Sequence, residues 1–232
     1  MEWNRKRVVT ATVGVIVLAA AVYGAVLAYP RLTNPYYGLT TSFEVANMTD
    51  EIRTTIETRI TAAKAGIAAA EQAGEKVDLD QYMIISDYSL VLGDLVAARE
   101  AMEEVLKENQ GNPVAFNNYG YILERMGDYE GAEENYRKAI AISSPYEEYY
   151  RDLIVLIDEH FPERSGEIEP LLKEAVNAVG QTSWFMVELG RYYQSVDDCE
   201  RAIAHYKVAI TLEPDSQSIA DEFTSVKAEC SK

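Results

Sequence analysis

The rhythm of apolar and polar positions changes three times along this chain. Val8 to Tyr29 is an apolar run that no charged residue interrupts. From residue 49 the rhythm is helical, with Ile52, Ile56, Ile60, Ala63, Ile67 and Ala70 on one face. This predicts an amphipathic helix over 49–75, capped by Thr49 or Asp50 and ended near Gly74, too polar on its other side to span a bilayer. Between these segments, 30–48 carries Pro30, Pro35, Gly38 and a Thr/Ser cluster and reads as a linker. Asn47-Met48-Thr49 within it is a glycosylation sequon. From residue 79 the pattern becomes pairs of short helices. After Pro214 a last helix, 217–230, buries Ile219, Phe223, Val226 and Cys230 and turns Asp221, Glu222, Lys227 and Glu229 outward, as the end of a stacked array requires.

The paired region repeats itself. Gly93-Asp94-Leu95-Val96-Ala97-Ala98 returns 34 residues later as Gly127-Asp128-Tyr129-Glu130-Gly131-Ala132, and after a further 70 as Asp197-Asp198-Cys199-Glu200-Arg201-Ala202. Four copies follow: 79–112, 113–146, 147–182 and 183–216. Where two helices of a pair touch, side chains must be small. Gly120 and Gly190 take that position on first helices, and Ala98, Ala132 and Ala202 on second helices. Ala139, Ala175 and Ala209 let the next copy approach, and Phe116, Tyr119, Tyr136, Leu189, Tyr193 and Tyr206 fill the spaces. One pair cannot bury its apolar face alone, so the copies stack.

These residues resemble the tetratricopeptide repeat family. In copy two Phe116, Tyr119-Gly120, Leu123, Ala132, Tyr136 and Ala139 follow the family pattern in order; in copy four Leu189-Gly190, Tyr193, Ala202, Tyr206, Ala209 and Pro214 do. Copy one has Ser86 in place of the glycine. Copy three departs most, with Ile154 and Ile168 replacing both small residues and Phe161 to Gly166 lengthening its turn, so its helices are expected further apart. The implied fold class is all-α: a solenoid of helix-turn-helix repeats with a C-terminal capping helix, preceded by one N-terminal transmembrane helix.

The resemblance also implies that first helices line a concave face that binds a protein or an extended peptide. By position this face carries Asn117, Asn118, Tyr121 and Arg125 from copy two, Arg151, Asp152 and Val155 from copy three, and Trp184, Val187, Glu188 and Arg191 from copy four. Asparagines can bond a peptide backbone, aromatic rings offer apolar anchors, and the arginines suit a ligand carboxylate. The competing reading pairs the arginines with neighbouring acids. One sub-type of the family clamps a chaperone's terminal carboxylates with Lys and Asn, then Asn, then Lys and Arg. Met83 and Asp87, Asn118, and Glu148 and Asp152 stand here instead, and only the asparagine agrees.

The charge-free run has 22 residues, about 33 Å as a helix, which matches a bilayer core. Arg5, Lys6 and Arg7 precede it and only Arg31 follows closely, so the positive-inside rule leaves a cytoplasmic tail 1–7 and puts everything after the span 8–29 on the extracytoplasmic side. Cleavage of a signal peptide at Ala19-Ala20-Ala21 is the alternative, and it exports the array equally. Ala20, Gly24 and Ala28 form a small-residue face that would pair two anchors into a homo-oligomer; an alanine-rich span is the plainer account.

Composition then excludes several classes. Against 21 Lys and Arg stand 38 Asp and Glu, a net charge of −17. A nucleic-acid binder needs a basic face. No phosphate loop, nucleophile elbow, zinc helix or Cys-pair motif occurs. His160 near Asp158, Glu159 and Glu163 has no converging ligand spacing. No enzyme, metal, cofactor or small-molecule substrate is expected. Two alternatives remain in function: a scaffold or assembly factor that binds partners transiently, or a structural subunit of a larger complex or self-assembled array. Two readings also remain for Cys199 and Cys230. The repeat register puts both at one edge of the solenoid, where export permits a disulfide; otherwise they are two buried thiols.

Overall fold

The computed structural model describes residues 38–231. The chain divides into two units between Thr41 and Ser42, and the helical array belongs to the second. The tail 1–7 and the span expected over 8–29 lie outside the described residues. Among those described, no helix is long and apolar enough to cross a membrane.

Ten α-helices follow one another among the described residues: α1 (Asp50–Ala73), α2 (Leu79–Val91), α3 (Leu95–Glu108), α4 (Pro113–Met126), α5 (Tyr129–Ile142), α6 (Glu147–His160), α7 (Ile168–Val179), α8 (Ser183–Ser195), α9 (Cys199–Leu212) and α10 (Gln217–Glu229). Each packs chiefly on the next, which makes the array a tetratricopeptide-like helical solenoid. Local chemistry sets the boundaries. Thr49 accepts the Ile52 amide at the start of α1, and Gly74 ends that helix at φ 68°. Ile56, Ala63 and Ile67 are its buried face, while Ile52 stays half exposed.

The recurring Gly-Asp pair is a turn followed by a cap. Gly93, Gly127 and Asp197 take positive φ values of 80°, 88° and 59°. Only the left-handed region turns the chain this tightly, and glycine or a short acid tolerates it best. The next residue, Asp94, Asp128 or Asp198, then accepts an amide from Ala97, Gly131 or Arg201 at 3.0, 3.1 and 3.0 Å. Copy three has neither device: α6 and α7 both start without a side-chain cap. A 3-10 turn, Pro162–Glu167, joins them instead, and the two helices touch less than the other pairs.

The small positions sit at the helix contacts. A Cβ on Gly120 would lie 2.8 Å from the Tyr136 ring, and one on Gly190 would lie 2.7 Å from the Tyr206 ring. Ala98, Ala132 and Ala202 have no exposed surface. Ser86 fits in place of glycine because its hydroxyl donates to the Ala98 carbonyl at 2.9 Å. At the far end Cys199 and Cys230 form a disulfide with Cα atoms 5.6 Å apart, tying the end of α10 to the start of α9.

One part of the linker is fixed on the array. The Phe43 amide donates to the Gly93 carbonyl at 3.0 Å, and Ser42 bridges Asp94. A side chain on Gly93 would meet the Phe43 carbonyl at 2.1 Å, whereas the equivalent Gly127 faces open space. Gly93 thus serves both the turn and the close approach of another strand of backbone.

Candidate functional site

The first helices α4, α6 and α8 carry the residues that the repeat register assigns to a concave face, and the structure sorts them into three groups. Asn117 is turned inward. It is only 4% exposed, and its amide donates to Asp152 on α6 at 2.8 Å. Its carbonyl oxygen is buried without a partner among the described residues. Asn117 therefore joins copy two to copy three.

Asn118, Tyr121 and Arg125 form the second group. Asn118 is half-buried, Tyr121 is 41% exposed, and Arg125 lies 4.5 Å above the Phe43 ring. The linker strand thus already covers one face of Arg125, a contact no signal in the Thr/Ser-rich linker announced.

Arg151, Trp184 and Arg191 form the third group, and they share a cleft of about 600 Å³. Its walls come from α6, α8 and, unexpectedly, the capping helix, through Ile219 and Glu222. The two arginines differ in state. Arg191 is held on both sides: Nε and Nη2 donate to the Glu222 carboxylate at 2.6 and 2.9 Å, and Nη1 to Glu188 at 2.7 Å. Glu222 also accepts the Tyr206 hydroxyl at 2.7 Å. The Arg191 pair holds the Glu222 carboxyl below the usual range. Arg191 is thus a strut between copy four and the cap. Arg151 is exposed, lies 5.5 Å above the Trp184 ring, and makes no ion pair within 4.0 Å among the described residues, although its charge acts on Asp152.

The face between them is acidic. Burial pushes the Asp152 carboxyl up to about 6; Asn117 and Arg151 oppose the rise, and Glu148 and Glu124 add to it. Since the ordinary value is 3.8, the folded value is the higher. Ionised Asp152 therefore costs stability above about pH 6, and that cost is relieved as the pH falls from 6 toward 3.8. A carbon-detected titration of the Asp152 carboxyl should show a midpoint near 6, moving higher in Asn117→Ala because the amide that favours the charged form is gone. A midpoint near 4 in the wild type would contradict the burial. Burial raises the Glu188 carboxyl as well.

The histidines are packing residues. His160 stacks on Tyr129 at 3.7 Å, and His205 on Tyr193 at 5.3 Å.

No curated protein matches the sequence. The family model described as tetratricopeptide repeat matches residues 113–145, which is copy two. Solved structures share the fold. One of MamA protein has 23% identity and a TM-score of 0.53, over 66% of this chain and 85% of that one. BtubC from P. vanneervenii has 16% identity and a TM-score of 0.58, over 76% and 85%. TTC0263, a thermophilic TPR protein of Thermus thermophilus, has 14% identity and a TM-score of 0.51, over 76% and 94%. The array therefore has the tetratricopeptide-type fold, and one of its copies, residues 113–145, matches the family's own repeat.

Proposed function

We propose that this protein is a non-enzymatic scaffold or assembly factor that holds a protein or extended-peptide partner against the first-helix face. The observation that carries the reading is the cleft of copies three and four and the cap, where an exposed arginine that makes no close ion pair among the described residues lies over Trp184. An exposed guanidinium on an aromatic face beside apolar wall residues is suited to anchor a peptide. Tetratricopeptide-type arrays typically serve as protein–protein scaffolds, which supports the same reading.

The test is crosslinking in native membranes followed by mass spectrometry. Tyr121→Ala with Arg151→Ala should reduce the crosslinked partner at least tenfold while the array melts as before, because both side chains are exposed. Full crosslinking by a folded double variant would move the site elsewhere. If instead the groove is permanently filled in a larger complex, that complex will copurify in fixed stoichiometry after mild detergent extraction.

The anchor belongs to this proposal. Residues 8–29 form the span, with the N-terminus in the cytoplasm and the array outside, on the strength of the three basic residues that precede the run. Protease added to intact cells or spheroplasts should digest the array and spare a tag on Met1. Loss of the tag with protection of the array would reverse the orientation.

A further inference from the structure

Copy three departs from its neighbours where helices should meet most closely. Ile154 and Ile168 stand where copy two has Gly120 and Ala132. Both isoleucines are buried, at 2% and 8% exposure, and they hold α6 and α7 apart. The Pro162–Glu167 turn bridges the resulting gap and is fixed to copy two: Arg164 donates twice to Glu133 at 2.7 Å and to Glu167 at 2.8 Å.

This divergence leaves a pocket of about 780 Å³ between α6 and α8, walled on one side by the turn. Ile154, Ile168 and Val196 give it apolar walls, and Val196 is 51% exposed at the lip. Asp158, Glu159 and Glu188 give it an acidic rim. The arginine in the lining, Arg191, is already engaged by Glu222 and Glu188. Among the described residues Asp158 has no cationic partner, and Glu159 meets only His160, at 4.0 Å. Apolar walls under unneutralised carboxylates complement one kind of side chain, a long aliphatic stem that ends in a cation. A purely apolar group leaves the rim unused, and a carboxylate is repelled by it.

We propose that this pocket receives a lysine or arginine side chain from an extended segment of a protein partner, its stem against Ile154, Ile168 and Val196 and its charge facing Asp158 and Glu159. The assignment rests on the scaffold reading and adds the partner's chemistry: its bound segment is basic. Copies one, two and four keep their small contact residues or a bonded serine, so the site belongs to copy three alone.

The experiment uses the full chain in nanodiscs and three decapeptide probes with one glycine–serine frame, carrying lysine, norleucine or glutamate at the same two positions. Binding is read by interferometry at two salt concentrations. The lysine peptide should bind at least tenfold more tightly than the glutamate peptide and several-fold more tightly than the norleucine peptide, with the advantage shrinking as salt rises. Asp158→Asn with Glu159→Gln, both at exposed positions, should abolish the advantage over norleucine. Val196→Ser should weaken both the lysine and the norleucine peptides. Equal binding of lysine and norleucine, an unchanged advantage in the charge-removed variant, or no binding of any probe would overturn the proposal. A chain that fails here but still crosslinks through Arg151 loses the basic-segment site and keeps its scaffold role.

Discussion

Tyr136→Ala should lower the stability of the array by roughly 3–5 kcal/mol, the range for removing a fully buried aromatic side chain. Tyr136 has no exposed surface, and its ring fills the space that Gly120 leaves open. A cavity there cannot close easily, because the Ala132 carbonyl lies 3.1 Å from where a Cβ on Gly120 would be, and the backbones are already near contact. The hydroxyl adds a smaller share by donating to Glu124 at 2.8 Å. Tyr136→Phe removes only that bond, to a carboxylate that water can reach, and should cost about 1 kcal/mol. Each copy is marginal alone, so the loss should spread to α6 and α7 as raised amide exchange. Urea unfolding followed by circular dichroism reads the difference. A Tyr136→Ala midpoint within experimental error of the wild type would refute the repeat register. Tyr206→Ala tests the equivalence of the ring contact, since its ring stands over Gly190, although its hydroxyl bonds Glu222 of the next helix rather than one of its own copy.

Opening the Cys199–Cys230 disulfide should cost roughly 3–4 kcal/mol by the loop-entropy relation for a separation of 31 residues. The effect should be local. α10 packs mainly on α9, with polar contacts to α8, and only Ile219 and Val226 of its own residues are buried. Without the bridge its hold reduces to that narrow face and to polar contacts, Glu222 with Arg191 and Tyr206 and Glu229 with Gln194. Cys230→Ser, or reductant, should therefore raise amide exchange across Gln217–Glu229 well before the middle of the array responds. It should also loosen the cleft beside Arg151, because Ile219 and Glu222 form part of its wall. A variant that leaves exchange in α10 unchanged, or labelling of both cysteines as free thiols in native protein, would contradict this.

Whatever depends on neighbours along the chain is legible in the residue order. A period of 34 residues, a Gly-Asp pair that turns and caps, and small residues spaced one helix apart are local signals, and they specify helix pairs that must stack. The large rings follow from them, since each glycine calls for a side chain on the facing helix. Even the divergence of copy three can be read, because Ile154 and Ile168 cannot occupy a contact built for glycine and alanine.

Which polar groups remain free is settled only once the copies have packed. Arg125, Arg151 and Arg191 share one face of the first helices, a turn apart in the register, yet one lies over Phe43, one over Trp184, and one is clasped by Glu222. Asn117 and Asn118 are adjacent, and one is buried against Asp152 while the other keeps partial exposure. Phe43 reaches Arg125, and Arg191 reaches Glu222, across long stretches of chain, and no periodicity encodes such meetings. An ion pair or a ring contact depends on where side-chain ends arrive after stacking, with the curvature of the array and the splay of copy three already set. Helical spacing fixes the face on which a residue starts; the packed neighbours fix what its end meets.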